Sequence, residues 1–155
     1  MNSLAEALQH SRIAILVNES SLLTGLLSGI HLLGFTLLMG AALVSNLRLS
    51  GVLFSHRPVW EIARPAARAI ALGLSISIIT GLLLFFPRAT TAIENWIFQL
   101  KMTLLIVAGV FHFVVATAVS GREPLGPALQ RVAGVVSLVL WVGLALTACA
   151  FLLIE

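Results

Sequence analysis

The chain has 155 residues, 59% of them hydrophobic and 10% charged, with a mean hydropathy of +1.09. Soluble domains carry roughly 25% charged residues, so this composition excludes an ordinary water-soluble enzyme and points to a membrane protein. The net charge of +3 does not mark a nucleic-acid binder, because the basic residues follow a topological pattern instead.

In chain order, the first element is amphipathic. Leu4, Leu8, Ile13 and Ile15 to Val17 alternate with Glu6, Gln9, His10 and Arg12, the pattern of a short helix lying in the membrane interface. No basic segment precedes the apolar stretch and no A-x-A-like site follows it, which argues against a cleavable signal peptide. Asn18 to Ser21 then offer capping side chains. A span needs about 20 apolar residues, and four stretches qualify: Leu22–Leu47, Ala66–Phe86, Phe98–Val119 and Val132–Ile154.

Pro58 and Pro65 bracket a segment after the first span. Pro87 ends the second, and Gly121, Pro124, Gly126 and Pro127 punctuate the third connection. Links this short make consecutive spans antiparallel neighbours. The expected fold is all-α: a four-helix transmembrane bundle with an N-terminal interfacial amphipathic helix, residues 1–155 forming a single integral membrane domain. Arg48, Arg57, Arg64 and Arg68 flank the first connection, Arg122 and Arg131 the third, and Arg12, Arg88 and Lys101 the other side. This bias puts the first and third connections in the cytoplasm and both termini outside.

Small residues mark close helix contacts. Gly73, Ser77 and Gly81 share one face of the second span, as tight packing in lipid requires. The stripe suits packing within the bundle or an oligomer contact. Gly143 and Thr147 form a weaker pair. Cys149 is the lone cysteine, so an intrachain disulfide and a cysteine-cluster metal site are excluded, and it reads as an apolar filler.

The chemistry rests on two histidines inside apolar spans. An ionisable group at membrane depth is costly and faces a bundle interior, a ligand or a partner. At about 1.5 Å per residue, His31 is expected roughly 13 Å below the outer boundary, Lys101 about 5 Å and His112 about 21 Å. Lys101 and His112 are eleven residues apart, which places them on one helix face. His31 shares a face with Phe35, Leu38, Ala42 and Ser45. Gly34 beside it keeps the helix slim, as either a flat cofactor or a close helix crossing would require.

Imidazole ligates haem iron and copper, and Met39 and Met102 are soft donors for copper, although no M-x-x-M or C-x-x-C spacing gathers them. Against this stands a purely structural reading, in which each ring hydrogen-bonds a neighbouring helix, with Thr80 or Ser77 as partner for His112. The estimated depths of the two rings differ by roughly 8 Å, which favours a single axial His31 with haem propionates near Lys101 or Arg88. Arg48, at the end of the first span, is expected to snorkel to the headgroups. All six acidic residues lie outside the spans, so a carboxylate proton relay through the bilayer is not expected.

His31-Leu-Leu-Gly-Phe-Thr-Leu-Leu-Met-Gly40 with Asn46-Leu-Arg-Leu-Ser-Gly51 resembles an uncharacterised bacterial family of four-span membrane proteins that reads HLLGxxLLxG…DLRLLG. Thr80 to Phe85, Asn95-x-x-Phe98-x-x-Lys101-Met102 and Trp141 extend the resemblance over nearly the whole chain. Asn46 stands where that family has Asp, and Ala148-Cys149-Ala150 where a Gly-Arg motif is common. More distantly, His31, Arg48, Lys101 and His112 are similar to the pattern of haem-containing membrane protoporphyrinogen oxidases, and His31 to that of the copper-resistance D domain. The first likeness implies haem b near His31 and His112 with Lys101 important. The second implies copper received from a periplasmic carrier.

The resulting expectation is a bacterial inner-membrane redox protein. It would bind haem b through His31, with His112 as second ligand or pocket wall, Lys101 and Gly34 completing the site, and pass electrons between quinone and a periplasmic partner. Copper transport through His31, Met39 and Met102, or a non-catalytic scaffold subunit docking through Gly73, Ser77 and Gly81, are the alternatives.

Overall fold

The structure, a computed structural model, describes residues 2–120 and 125–154. Gly121, Arg122 and Pro124 of the third connection, and the side chain of Leu4, fall outside the described residues. Seven α-helices form among the described residues: α1 (Asn2–Gln9), α2 (Arg12–Glu19), α3 (Ser21–Leu49), α4 (Val59–Phe85), α5 (Ala89–Glu94), α6 (Trp96–Ser120) and α7 (Pro127–Ile154), with a 3₁₀ turn at Phe86–Arg88. Four of them, α3, α4, α6 and α7, are long and apolar enough to cross a membrane. The all-α bundle architecture is as the composition requires, since only a helix satisfies its own backbone in lipid.

The amphipathic N-terminus forms two helices rather than one. Ser11 breaks it, because its side chain accepts from Ala14 N at 3.3 Å and starts α2 afresh. Both helices dock on the connection between α4 and α6, burying Ala5, Ala14, Val17, Ala89 and Ala92. Gln9 Oε1 accepts from Thr90 Oγ1 at 2.6 Å, and Thr24 Oγ1 donates to Val17 O at 2.6 Å. These bonds tie the N-terminal helices down at the end of the bundle where α3 begins.

Ser20 caps α3 by accepting from Leu23 N. The helix stops at Gly51, whose φ of +81° suits a residue without Cβ. The Arg48 guanidinium donates through both Nε and an NH2 group to Arg57 O, closing the turn that follows. The second span starts earlier than its apolar pattern suggests. Pro58 stands at the cap and Pro65 lies within α4, so the segment between the prolines is helical. Inside the helix Pro65 lacks the N–H that would bond Glu61 O, and the guanidinium of Arg64 lies over the Trp60 ring at 5.7 Å on the same turns. At its other end α4 closes at Phe85, and Pro87 sits in the 3₁₀ turn, as expected.

Backbone proximity sets the packing. A Cβ on Gly73 would lie 2.6 Å from Gly34 O and 2.7 Å from Leu38 N, so α3 and α4 cross in direct main-chain contact there. A Cβ on Gly134 would meet Ser50 N at 2.7 Å and Asn46 O at 2.9 Å, a second such crossing between α3 and α7. In lipid, where apolar burial between helices gains little, close approach of this kind supplies the dispersion contact that holds a bundle. The Gly73, Ser77 and Gly81 face is therefore occupied by α3 of the same chain. It is not an oligomer surface, because Gly73 meets Gly34 and Leu38, and Gly81 meets His31.

Two apolar clusters fill the interior. Leu38, Ala42, Ile70, Ala108, Trp141 and Leu144 form one; Leu49, Val115, Val119 and Ala133 form the other. Large apolar side chains such as Leu33, Ile79, Ile106 and Val139 point outwards, the inverted pattern of a protein solvated by lipid.

Candidate functional site

His31 projects from α3 onto α4. Its Nδ1 lies 3.0 Å from Thr80 Oγ1, and the Thr80 hydroxyl donates its one proton to Ile76 O at 2.7 Å. With its hydroxyl donating there, Thr80 accepts from the ring, the tautomer in which Nδ1 carries the hydrogen and Nε2 of the neutral imidazole keeps its lone pair. A ligating histidine is held in this way, with one nitrogen donating to a fixed partner and the other left basic. Gly81 lies under the ring, where a Cβ would come within 3.0 Å of His31 Cε1.

Lys101 belongs to the same region. Its charge reaches His31, and its ammonium lies 5.6 Å from the centre of the Phe151 ring, which stands beside Phe98, itself stacked on Phe85. Gly34 does not open a slot for a flat group. A Cβ there would meet Ile76 Cγ2 at 2.7 Å and Ser77 Oγ at 3.0 Å, so Gly34 serves the helix crossing alone.

His112 lies elsewhere and is 4% exposed. Its ring stands edge-on to Trp141, centroids 6.2 Å apart at 75°. Thr80, one of its expected partners, is on His31 instead. The first apolar cluster takes Leu38 from α3 and Ala108 from α6. His31 is seven residues before Leu38 and His112 four residues after Ala108. With α3 and α6 running in the same direction, the rings are roughly 16 Å apart along the bundle axis. Two imidazoles on one metal lie within about 4 Å of each other, given bonds of about 2 Å. These residues do not fit a single iron held by both histidines.

The soft donors do not converge. Met39 packs against the first apolar cluster, Met102 is partly exposed on the outer face of α6, and Cys149 is exposed on α7. Among the described residues no group of three or more His, Cys, Asp or Glu is placed to hold a metal.

Another set, Asn46, Ser137 and Trp141, each at most 1% exposed, is hard to find from residue types alone. Its only trace was spacing, since Asn46 continues the Leu38, Ala42 face of α3, and Ser137 precedes Trp141 by one turn.

No curated protein and no solved structure matches the chain. One family model does, over residues 17–152, from the last turn of α2 to the last turns of α7, and it includes every residue discussed in this section. The chain belongs to that family, a family of unknown function designated DUF6644.

Proposed function

We propose that this chain is a small integral membrane redox protein that holds haem b through Nε2 of His31. The observation behind the reading is the contact of His31 Nδ1 with a Thr80 hydroxyl that also reaches Ile76 O, an arrangement that suits a ring with its hydrogen on Nδ1 and a basic nitrogen on the other side. Bound haem would supply one-electron chemistry. The protein's part is to orient the imidazole, to place the Lys101 charge where it favours anionic groups of the cofactor, and to surround the site with lipid-facing helices that limit water. His112 is outside the site in this reading.

The arginine-rich connections would face the cytoplasm of a bacterial inner membrane and both termini the periplasm. That places His31 in the outer half, within reach of quinone or a periplasmic electron carrier. Reporter fusions at the C-terminus and within residues 51–58 test the orientation.

Purified protein, expressed with haem supplied, should show a Soret band that His31→Ala abolishes and His112→Ala retains. A wild-type protein without a Soret band overturns the proposal. A second reading is favoured by the same bond across a tight crossing: His31 acts only as a fastener between α3 and α4. It predicts no haem in any variant and equal stability losses for His31→Leu and Thr80→Val. Copper transport draws less support, because Met39 and Met102 lie apart; copper uptake unchanged by His31→Ala would eliminate it.

A further inference from the structure

A layer of polar side chains lies between the two apolar clusters, with α3, α6 and α7 each contributing by position. On α3, Asn46 falls between Ala42 of the first cluster and Leu49 of the second. On α6, His112 falls between Ala108 and Val115. On α7, Ser137 falls between Ala133 and Trp141. The crossing at Gly134 places the Asn46 turn directly against α7, one turn from Ser137.

These groups are sealed and unpaired. Asn46 is fully buried and Ser137 and Trp141 are 1% exposed. Asn46 Nδ2 and Oδ1, Ser137 Oγ and Trp141 Nε1 have no hydrogen-bond partner. Buried polar groups are paired with protein or ordered water in the great majority of cases, and leaving four such atoms dry would carry a desolvation penalty at each. The set offers donors (the Asn46 amide and the indole N–H) and acceptors (the Asn46 carbonyl and the Ser137 hydroxyl). That mixture suits a molecule that both donates and accepts. Apolar clusters close the layer above and below, so the occupant must be small.

We propose that this layer is an internal water site, in which one or a few water molecules bridge Asn46, Ser137 and Trp141 Nε1, with the His112 ring at its border. A buried water makes about three hydrogen bonds, which matches the number of residues offering them. The site gives His112 a polar neighbour deep in the bundle and is independent of any ligand at His31, about 16 Å away along the axis.

Millisecond X-ray radiolytic labelling of the full chain in detergent, read by mass spectrometry, tests this. Hydroxyl radicals formed from trapped water oxidise the side chains beside it, whatever their access to bulk solvent. The expected result is oxidation of Trp141, falling at least threefold in Asn46→Leu and in Ser137→Ala. The serine change removes a single hydroxyl from a helix, so it keeps the test open if the leucine variant does not fold. Trp141 left unlabelled in the wild type overturns the proposal. So does labelling that neither substitution reduces, because the water would then not be held by these groups.

Discussion

Gly73 and Leu38 meet backbone to backbone: a Cβ on Gly73 would lie 2.7 Å from the Leu38 amide nitrogen and 3.1 Å from its Cα. No side-chain rotation relieves such a contact, so the helices themselves must part. Gly73→Ala should therefore destabilise the bundle by about 1–3 kcal/mol, whereas Gly109→Ala, with nothing within 4 Å of its Cβ, should be neutral or stabilising by about 0.4–1 kcal/mol through the loss of chain freedom. Unfolding titrations of the two variants in mixed micelles check the contrast. Equal effects would show that this crossing does not hold the bundle.

The docked N-terminus should open without unfolding the rest. Gln9 Oε1 is the acceptor for the Thr90 hydroxyl at 2.6 Å and, more weakly, for Thr90 N at 3.4 Å. Gln9→Leu removes that acceptor where the neighbouring contacts are chiefly small alanines. Hydrogen exchange should accelerate several-fold across α1 and α2 while α3, α4, α6 and α7 stay unchanged. Uniform acceleration would mean that the terminal helices are part of the cooperative unit.

Much of this was legible in the sequence, and the losses have one cause. Hydropathy locates the four long helices, although α4 begins seven and α7 five residues before their apolar stretches, and the small-residue stripes locate close contacts. The buried face of Leu38, Ala42 and Ser45 also followed from helical spacing. Register between helices did not. Thr80, which with Ser77 suits His112 on spacing alone, bonds His31, and the Gly73, Ser77 and Gly81 face, which suits either internal packing or an oligomer contact, is covered by α3. Each depends on how far one helix slides along its neighbour, which no single-helix pattern encodes. Pro65 differs for another reason: inside α4 it forfeits a backbone bond, so its residue type alone points to a break rather than to a helix that runs through it.

Arg48 makes a local contribution. Its guanidinium donates twice to Arg57 O, fastening the end of α3 to the turn before α4. Arg48→Lys loses the forked geometry, and the exposed position limits the effect. A loss of no more than about 1 kcal/mol is expected, together with faster proteolysis within residues 51–58 in detergent. Loss of membrane insertion would assign Arg48 a topological role instead, as a basic residue that fixes orientation.

Thr80→Val separates fastening from ligand orientation. Valine matches the shape of threonine but leaves His31 Nδ1 without its acceptor. Hydrogen bonds between membrane helices average about 0.6 kcal/mol and reach about 1.7, so stability should fall by no more than that. If His31 holds haem, loss of a partner that orients a ligating imidazole should weaken binding about 10- to 100-fold, seen as a reduced Soret band at matched protein concentration. Gly81→Ala provides the complementary case, because its Cβ would press on His31 Cε1 at 3.0 Å while the Thr80 bond is kept. It should shift or reduce the same band with a smaller stability change than Gly73→Ala. A Soret band identical in wild type, Thr80→Val and Gly81→Ala would place the haem away from His31, whatever the fold's stability.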